Sequence, residues 1–200
     1  MTVKRDAGHG VRKRLTRRDW TAEALLALAD GGLKAVAIEP LAARLGATKG
    51  SAYHHFPNRD ALVVAMLERW ETEHTEAVIT AVQDEPDPLR RLRLLIATVI
   101  SEDGADASVE LALLAAADDP LVAPVLHRVT ERRVDYIAAV VGELGFARPK
   151  ARRRALMAYS AYLGHAQLRR MAGDMLPGSR AAQRVYLDEM VALLSEGLGE

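Results

Sequence analysis

The sequence contains no cysteine among its 200 residues. This absence excludes a disulfide framework, a cysteine-based metal site and a cysteine nucleophile, and it fits a reducing compartment. The start of the chain is charged and lacks the apolar segment that directs secretion, and no stretch is long and apolar enough to span a bilayer. We therefore expect a soluble, cytoplasmic protein without a membrane partner.

Aromatic residues are also scarce, at 4%, although 50% of the residues are hydrophobic. Alanine and leucine dominate this apolar content, and both favour helix. A chain of this length can bury a sizeable core as one or two domains. The composition therefore predicts an all-α fold without a sheet.

The net charge is zero, but the charges are distributed unevenly along the chain. Residues 1–60 hold 11 Lys and Arg against 6 Asp and Glu, a net of +5, so the rest holds 16 (27 − 11) against 21 (27 − 6), a net of −5. The basic residues before the first helix form an arm that would suit DNA phosphates, or equally a solvated tail. They are Lys4, Arg5, Arg12, Lys13, Arg14, Arg17 and Arg18.

A helix-turn-helix is predicted between residues 36 and 59. Leu41 and Leu45 lie at helical spacing, and Gly46 ends their helix. A short second helix then begins at Thr48. It can direct a row of hydrogen-bond donors outward, and such a surface suits a DNA groove. The donors are Thr48, Lys49, Ser51, Tyr53 and His54.

The same stretch resembles the tetracycline-repressor (TetR) family of transcriptional regulators. The matching run is Gly46-Ala47-Thr48-Lys49-Gly50-Ser51-Ala52-Tyr53-His54-His55-Phe56, and Asn58-Arg59-Asp60-Ala61-Leu62 opens the next helix as in family members. The motifs cover the first quarter to third of the chain, and beyond Leu67 only helix number and length agree. The resemblance implies a regulator, more commonly a repressor, that binds DNA as a dimer and responds to a small molecule.

Side-chain chemistry divides the expected DNA contacts into two groups. Residues near the start of the second helix are best placed for base edges, and those further along for phosphates. The base-edge group is Lys49 and Ser51, the phosphate group is Tyr53, His54 and Arg59, and Thr48 touches either; Gly50 belongs to the same surface. Ala37 departs from the family pattern, because members usually carry Ser or Thr there as a helix cap worth about 1 kcal/mol.

We expect two domains, with residues 1–60 forming the arm and the helix-turn-helix domain and residues 61–200 forming a helical ligand-binding and dimerisation domain. Thr16 and Asp19 predict the start of the first helix, and Asn58 predicts the start of a long helix that joins the domains. Later helices are predicted over residues 89–102, 109–117, 121–144, 149–172 and 179–198. Trp20 and Phe56 are expected in the core.

A homodimer is expected for two reasons. The resemblance implies that the last two helices pair with their copies, and one short recognition helix covers only half of a palindromic site. A charge at Gly164 or Leu194 should then separate the protomers, although the apolar stripes of both helices could also be monomer core. The basic run that begins at Arg148 is expected to be a solvated face.

The resemblance also implies a ligand pocket among the middle helices. The candidates are rings and apolar groups on helices that should converge behind the long helix that begins at Asn58: Trp70, His74, Leu113, His127, Tyr136, Tyr159, Tyr162 and His165. Each is also a plausible core or surface residue. No charged cluster can be assigned to the interior, so an apolar or aromatic effector is expected rather than a highly charged one.

An enzyme is the first alternative, and the sequence argues against it. His54 and His55 are adjacent, so on a helix they diverge by about 100° and make a poor metal pair. No nucleophile elbow or glycine-rich phosphate loop is present, and we expect neither a cofactor nor a metal. The other alternative is a helical dimeric interaction protein that has lost DNA binding and has no ligand response. The presence of Lys49, Tyr53 and His54 argues against it.

Overall fold

The computed structural model describes residues 14–101 and 104–197. Within these residues all regular structure is helical, so the predicted all-α fold is confirmed. Short 3-10 turns at Leu33–Ala35 and Gly173–Met175 join some of the helices. The α-helices are α1 (Arg17–Gly31), α2 (Ile38–Arg44), α3 (Lys49–His55), α4 (Arg59–Glu71), α5 (Ala77–Val82), α6 (Pro88–Ser101), α7 (Gly104–Leu114), α8 (Ala123–Glu143), α9 (Arg148–Ala172) and α10 (Arg180–Ser195).

Polar side chains cap the starts of several helices. Thr16 and Asp19 form a reciprocal capping box, in which the Asp19 carboxylate accepts from the Thr16 N–H at 2.7 Å. Asn58 accepts from the Ala61 N–H at 2.8 Å and caps α4, as predicted. Helix α2 begins at Ala37 without a side-chain cap. The helices that carry the recognition motif therefore begin where the sequence placed them.

The helix-turn-helix shares its hydrophobic core with the helices that follow. Trp20 and Phe56 are fully buried in this core, as expected. The same cluster of buried side chains includes Trp70 of α4, Leu113 of α7 and Val129 of α8. Helices α4, α7 and α8 therefore share one continuous core with the recognition motif.

A π-helical segment, Thr72–Glu76, interrupts the long helix that was predicted to begin at Asn58. Helices α4 and α5 are the two parts of this helix. Such segments occur mostly as single turns inside α-helices and are frequent at functional sites. Thr75, in the segment, is 1% exposed and faces α8.

Helix α10 is apolar on two opposite sides. Val191 and Leu194 pack into a buried cluster with Leu92 of α6 and Val140 of α8. Leu193, the neighbour of Leu194, is 68% exposed, whereas Leu194 is 7% exposed. The expectation that Leu194 contacts a second protomer is therefore wrong, because its side chain fills the core of its own protomer. Leu198, the predicted end of this helix, lies outside the described residues.

No helix among the described residues is long and apolar enough to cross a membrane.

Candidate DNA-reading surface and ligand chamber

Helix α3 packs on the core through the side that carries its small apolar residue, and it presents its polar side to solvent. Ala52 is fully buried, and its small side chain lets the helix lie close to the core. Tyr53 is 54% exposed. Lys49, Gly50 and His54 are exposed as well, and Ser51 is half-buried. The helix therefore offers donors of several kinds on one accessible surface.

Thr48 fixes the beginning of this surface. Its hydroxyl accepts a hydrogen bond from the Ser51 backbone N–H at 3.2 Å, and its side chain is exposed. The N–H groups of the first turn point outward at the positive end of the helix dipole. A phosphate or a base edge can approach there.

Gly50 has no steric reason inside the protein to be glycine. A Cβ built there would meet only the Thr48 Oγ1, at 3.8 Å, which is ordinary van der Waals contact. Glycine nevertheless destabilises a helix by about 1 kcal/mol relative to alanine. Packing within the described residues therefore does not account for the glycine at this position.

Two of the predicted contact residues have partners from neighbouring elements. The Lys49 ammonium pairs with the Glu39 carboxylate of α2, where both side chains are more than half exposed. The His54 Nε2 lies 3.4 Å from the Arg14 guanidinium, which belongs to the basic arm. These pairs are exposed, so each holds only weakly and can exchange for a phosphate.

Arg59 has a structural role that the sequence did not suggest. Its Nε donates to the Val36 carbonyl and its Nη2 to the Leu33 carbonyl, both at 2.8 Å. These bonds tie the start of α4 to the turn before α2. The predicted phosphate contact of Arg59 would therefore have to use the remaining N–H groups.

Arg17 and Arg18, predicted to precede the first helix, instead form the first turn of α1. Arg17 stacks over the Phe56 ring at 4.8 Å, and its Nη1 donates to the His55 carbonyl at 3.4 Å. Arg18 lies 3.4 Å from Glu73. The remaining predicted arm residues, Lys4, Arg5, Arg12 and Lys13, lie outside the described residues.

A narrow chamber of about 70 Å³ lies behind the long helix, between α5, α6, α8, α9 and α10. Most of its wall is aliphatic, with Leu95, Ile96 and Ile137 as examples. Four of the predicted ligand residues line it, namely His74, Tyr136, Tyr159 and Tyr162. The Tyr136 hydroxyl is buried and has no hydrogen-bond partner among the described residues, so it can serve a polar group of a ligand.

The other four predicted ligand residues do not line this chamber. Trp70 and Leu113 are buried in the core shared with the helix-turn-helix, because their ring and branched side chain fill space between helices. His127 is on the surface, where its Nδ1 lies 3.7 Å from Glu131. His165 is buried beside a separate groove.

The structure places a charged pair in the interior, contrary to the expectation from the sequence. The Arg133 Nη1 donates to both Glu110 carboxylate oxygens, at 3.1 and 3.0 Å, and the side chains are only 11% and 2% exposed. Burial opposes the charge of Arg133, yet the attraction of Glu110 outweighs it and raises the pKa of Arg133 above its ordinary value. The sequence signal was weak, because the pair joins residues of two separate helices.

Arg133 also connects the chamber to the π-helical segment. Its Nε donates to the Thr75 hydroxyl at 2.9 Å, and its Nη2 donates to the His74 carbonyl at 3.1 Å. The guanidinium lies over the ring of Tyr162, which lines the chamber, 5.9 Å from the ring centre. Arg133 therefore occupies the aromatic side of the chamber where a cationic ligand would otherwise be favoured.

Helices α9 and α10 carry apolar side chains that the described residues of their own chain leave uncovered. On α9 these include Met157 and Met171, which are 68% and 74% exposed. On α10, Val185 and Leu193 are 58% and 68% exposed. Gly164 lies on the same side of α9, at helical spacing from Met157 and Met171, and a Cβ there would meet no atom within 4 Å.

No group of His, Cys, Asp or Glu among the described residues is arranged to hold a metal ion.

Comparison with known proteins gives matches to one family and one fold. Residues 21–66 match the family model for bacterial regulatory proteins, tetR family. A nucleoid occlusion factor, SlmA of Edwardsiella ictaluri (strain 93-146), is 30% identical over 93 residues, which are 44% of this chain and 47% of that protein. The chain thus matches about half of the length of this curated relative.

Solved structures share the whole fold at low sequence identity. A transcriptional regulator from Rhodococcus sp. Rha1 superposes with a TM-score of 0.76 at 19% identity, over 92% of this chain and 97% of that one. A transcriptional regulator from Saccharomonospora viridis, described as putative and solved in complex with choline, superposes with a TM-score of 0.70 at 20% identity. The match covers 90% of this chain and 93% of that one. The motif between Gly46 and Leu62 lies within the stretch that matches the tetR family model, and the predicted all-helical fold agrees with that of these solved structures.

Proposed function

Because the helix-turn-helix domain of this chain belongs to the tetR family of bacterial regulatory proteins, we propose that the protein is a transcriptional repressor. It binds a palindromic operator as a homodimer and is released by a small effector with an apolar body. The coarser part of this description, a DNA-binding regulator, follows from the family itself. We place the protein in the cytoplasm, where it has access to DNA.

The observation that carries the proposal is the surface of α3. A helix that buries Ala52 and exposes donors beside a glycine without an internal steric role is built for close approach to a polar partner. In this proposal Lys49 and Ser51 contact base edges, Thr48 contacts phosphate or base, and Tyr53 and His54 contact phosphates. Arg59 positions the start of α4 and adds a phosphate contact through its remaining N–H groups.

The uncovered apolar side of α9 and α10 supports the dimer. Single exposed apolar residues are common on protein surfaces, but a stripe that continues along two adjacent helices is typical of an interface. The missing side chain of Gly164 would let two copies of α9 approach closely. Pairing these helices with their copies buries the stripe in a four-helix arrangement and presents two recognition helices to two half-sites.

The chamber supports the response to an effector. Its volume of about 70 Å³ is well below the roughly 300–1,000 Å³ of most ligand pockets, so a ligand must widen it. Val78 and Ile79 of α5 form part of its wall, and α5 continues through the π-helical segment into α4. Widening the chamber therefore moves α4, the helix that directly follows the recognition motif. By linkage, ligand and DNA weaken each other equally, typically by about 1–3 kcal/mol.

A gel shift and a footprint on the DNA flanking the gene test the proposal. We expect two half-sites related by two-fold symmetry, about one or two helical turns apart, and two chains per site. Lys49→Met should weaken binding and flatten its salt dependence. Glu39→Gln should strengthen binding, because it removes both a competitor for Lys49 and a negative charge near the DNA. An asymmetric site covered by a single chain would contradict the dimer, and a missing shift would contradict operator binding there.

The alternative, a dimeric interaction protein without a ligand response, makes a different prediction. Such a protein would give no gel shift with operator DNA and would bind a partner protein to the same extent whatever occupies the chamber. The gel shift separates the two, and a screen of apolar and charged compounds for release from the operator then tests the effector response. If no compound releases the protein, the effector response is refuted and the DNA-binding role stands.

A further inference from the structure

A second cavity, which we call the basic groove, opens beside the chamber. It lies between α6, the end of α9, the turn after α9 and the start of α10, and its volume is about 610 Å³. Four arginines line it, namely Arg93, Arg169, Arg180 and Arg184, and no carboxylate is among the described residues that do so. This concentration of cations contrasts with the net charge of −5 that residues 61–200 carry.

The four arginines are not equivalent. Arg93 is paired with Asp188, so its charge is largely compensated. Arg169 donates to the Ile100 carbonyl and lies in the wall. Arg180 and Arg184 are exposed, on the first turns of α10. The positive end of the α10 dipole adds to their field, where cations are otherwise disfavoured. An anion in the groove would relieve this repulsion.

His165 adds a buried donor to the same wall. Its Nε2 lies 3.0 Å from the Arg169 Nη2, and because a guanidinium can only donate, the Nε2 must accept. The proton of the neutral ring is therefore on Nδ1. This Nδ1 is buried without a hydrogen-bond partner among the described residues, and His165 is only 5% exposed. The pKa of His165 is lowered, first by burial and then by the charge of Arg169, so the ring is neutral.

The groove and the chamber adjoin each other. Ile100 lines both of them. A third, small cavity lies between them, with Tyr162 shared with the chamber and His165 and Arg169 shared with the groove. The shared lining residues therefore place the groove directly next to the chamber, within reach of one elongated ligand that widens the space between them.

We propose that the effector is an anionic amphiphile, with its apolar chain in the chamber and its anionic head in the basic groove. The head is held by the guanidinium groups of Arg180 and Arg184 and by the Nδ1–H of His165. This inference rests on the proposed effector response and adds the ligand class. The head is a phosphate or carboxylate type of group, because every group named here donates hydrogen bonds and two of them are cationic.

Decyl phosphate, decan-1-ol and methyl phosphate are the probes that test the inference. Their binding to the full chain is measured by calorimetry, and each is then tested for release of operator DNA. Decyl phosphate should bind at least about ten-fold more tightly than either other probe, because each of those lacks one half of the ligand. Its affinity should fall with added salt.

The double variant Arg180→Gln with Arg184→Gln should weaken decyl phosphate binding by at least about ten-fold and leave decan-1-ol binding unchanged. Both arginines are exposed, so the fold should tolerate the change, and circular dichroism verifies this. Arg170→Gln is the matched control. Arg170 is an exposed arginine near the end of α9 and is not part of the groove wall, so its variant should bind decyl phosphate like the unmodified protein.

The outcomes separate this inference from the effector proposal. Equal affinities for decyl phosphate and decan-1-ol, or equal losses in the double variant and the Arg170 control, overturn the anion site and leave an apolar effector possible. Binding of decyl phosphate that depends on Arg180 and Arg184 but never affects operator binding supports the site and contradicts the effector response. No binding of decyl phosphate overturns the inference.

Discussion

Replacing Gly50 with alanine should stabilise the protein and weaken its binding to DNA. The added Cβ meets only the Thr48 Oγ1, at 3.8 Å, so no strain opposes it in the free protein. A helix gains up to about 1 kcal/mol from this change, which in a protein of this size raises the melting temperature by about 2–4 °C. On DNA the same methyl group occupies the space through which the backbone approaches the groove.

The expected loss of affinity is about ten-fold or more, since about 1.4 kcal/mol of overlap or lost contact is enough for that factor. Thermal unfolding, followed by circular dichroism, measures the gain in stability. Fluorescence polarisation with operator DNA at fixed salt measures the loss of affinity. Gly142→Ala is the control. Gly142 is also helical and unobstructed, but it lies in α8. That variant should gain stability and bind DNA normally.

A Gly50→Ala variant that binds the operator as tightly as the unmodified protein would refute the reasoning, because the glycine would then have no role on the DNA-facing side. A variant that loses stability as well as affinity would place its cause inside the protein, contrary to the open space around Gly50.

Three further predictions concern other parts of the molecule. Tyr53→Phe should weaken binding to all DNA sequences alike, as polarisation with several operators can measure; a changed sequence preference at constant affinity would reverse the assignment of Tyr53 to phosphate. Leu193→Glu should give a folded monomer in sedimentation, whereas Leu194→Glu should lower the melting temperature; a dimer that survives Leu193→Glu would move the interface elsewhere. Arg133→Met should cost about 3 kcal/mol or more in denaturant unfolding, because it leaves the buried Glu110 carboxylate without its guanidinium partner, with the Tyr159 hydroxyl still donating to it at 3.5 Å. Adding Glu110→Leu should recover most of that loss of unfolding free energy. An unchanged denaturant midpoint in Arg133→Met alone would show that the Arg133–Glu110 pair contributes little to stability.

Local signals in the sequence were sufficient for the recognition domain. The caps at Thr16 and Asn58, and the stop at Gly46, depend only on residues within one turn of themselves, so their interactions can be predicted without the rest of the fold. The resemblance to the family then predicted that the exposed side of α3 contacts DNA. Its DNA contacts stay a prediction, because no part of the structure tests them.

Interactions between distant helices could not be predicted in the same way. An amphipathic pattern shows that α10 has an apolar side, but Leu193 and Leu194 are both apolar and only the packed structure shows which one is buried. Arg133 and Glu110 are ordinary charged residues of their own helices until α7 and α8 pack together. The same holds for the basic groove, whose residues come from α6, α9 and α10.

The π-helical segment gives the long helix an unusual tolerance to changes in length. A π turn holds one residue more than the α turn that it replaces, while the flanking helices keep their orientation. Deleting one residue within Thr72–Glu76 could therefore leave a regular helix with α4 and α5 still facing their present neighbours. The same deletion within α4 would turn everything before it by about 100° and bring polar residues into the core. Proteins of this fold could then gain or lose a residue in the π-helical segment without any change in the orientation of the DNA-reading domain.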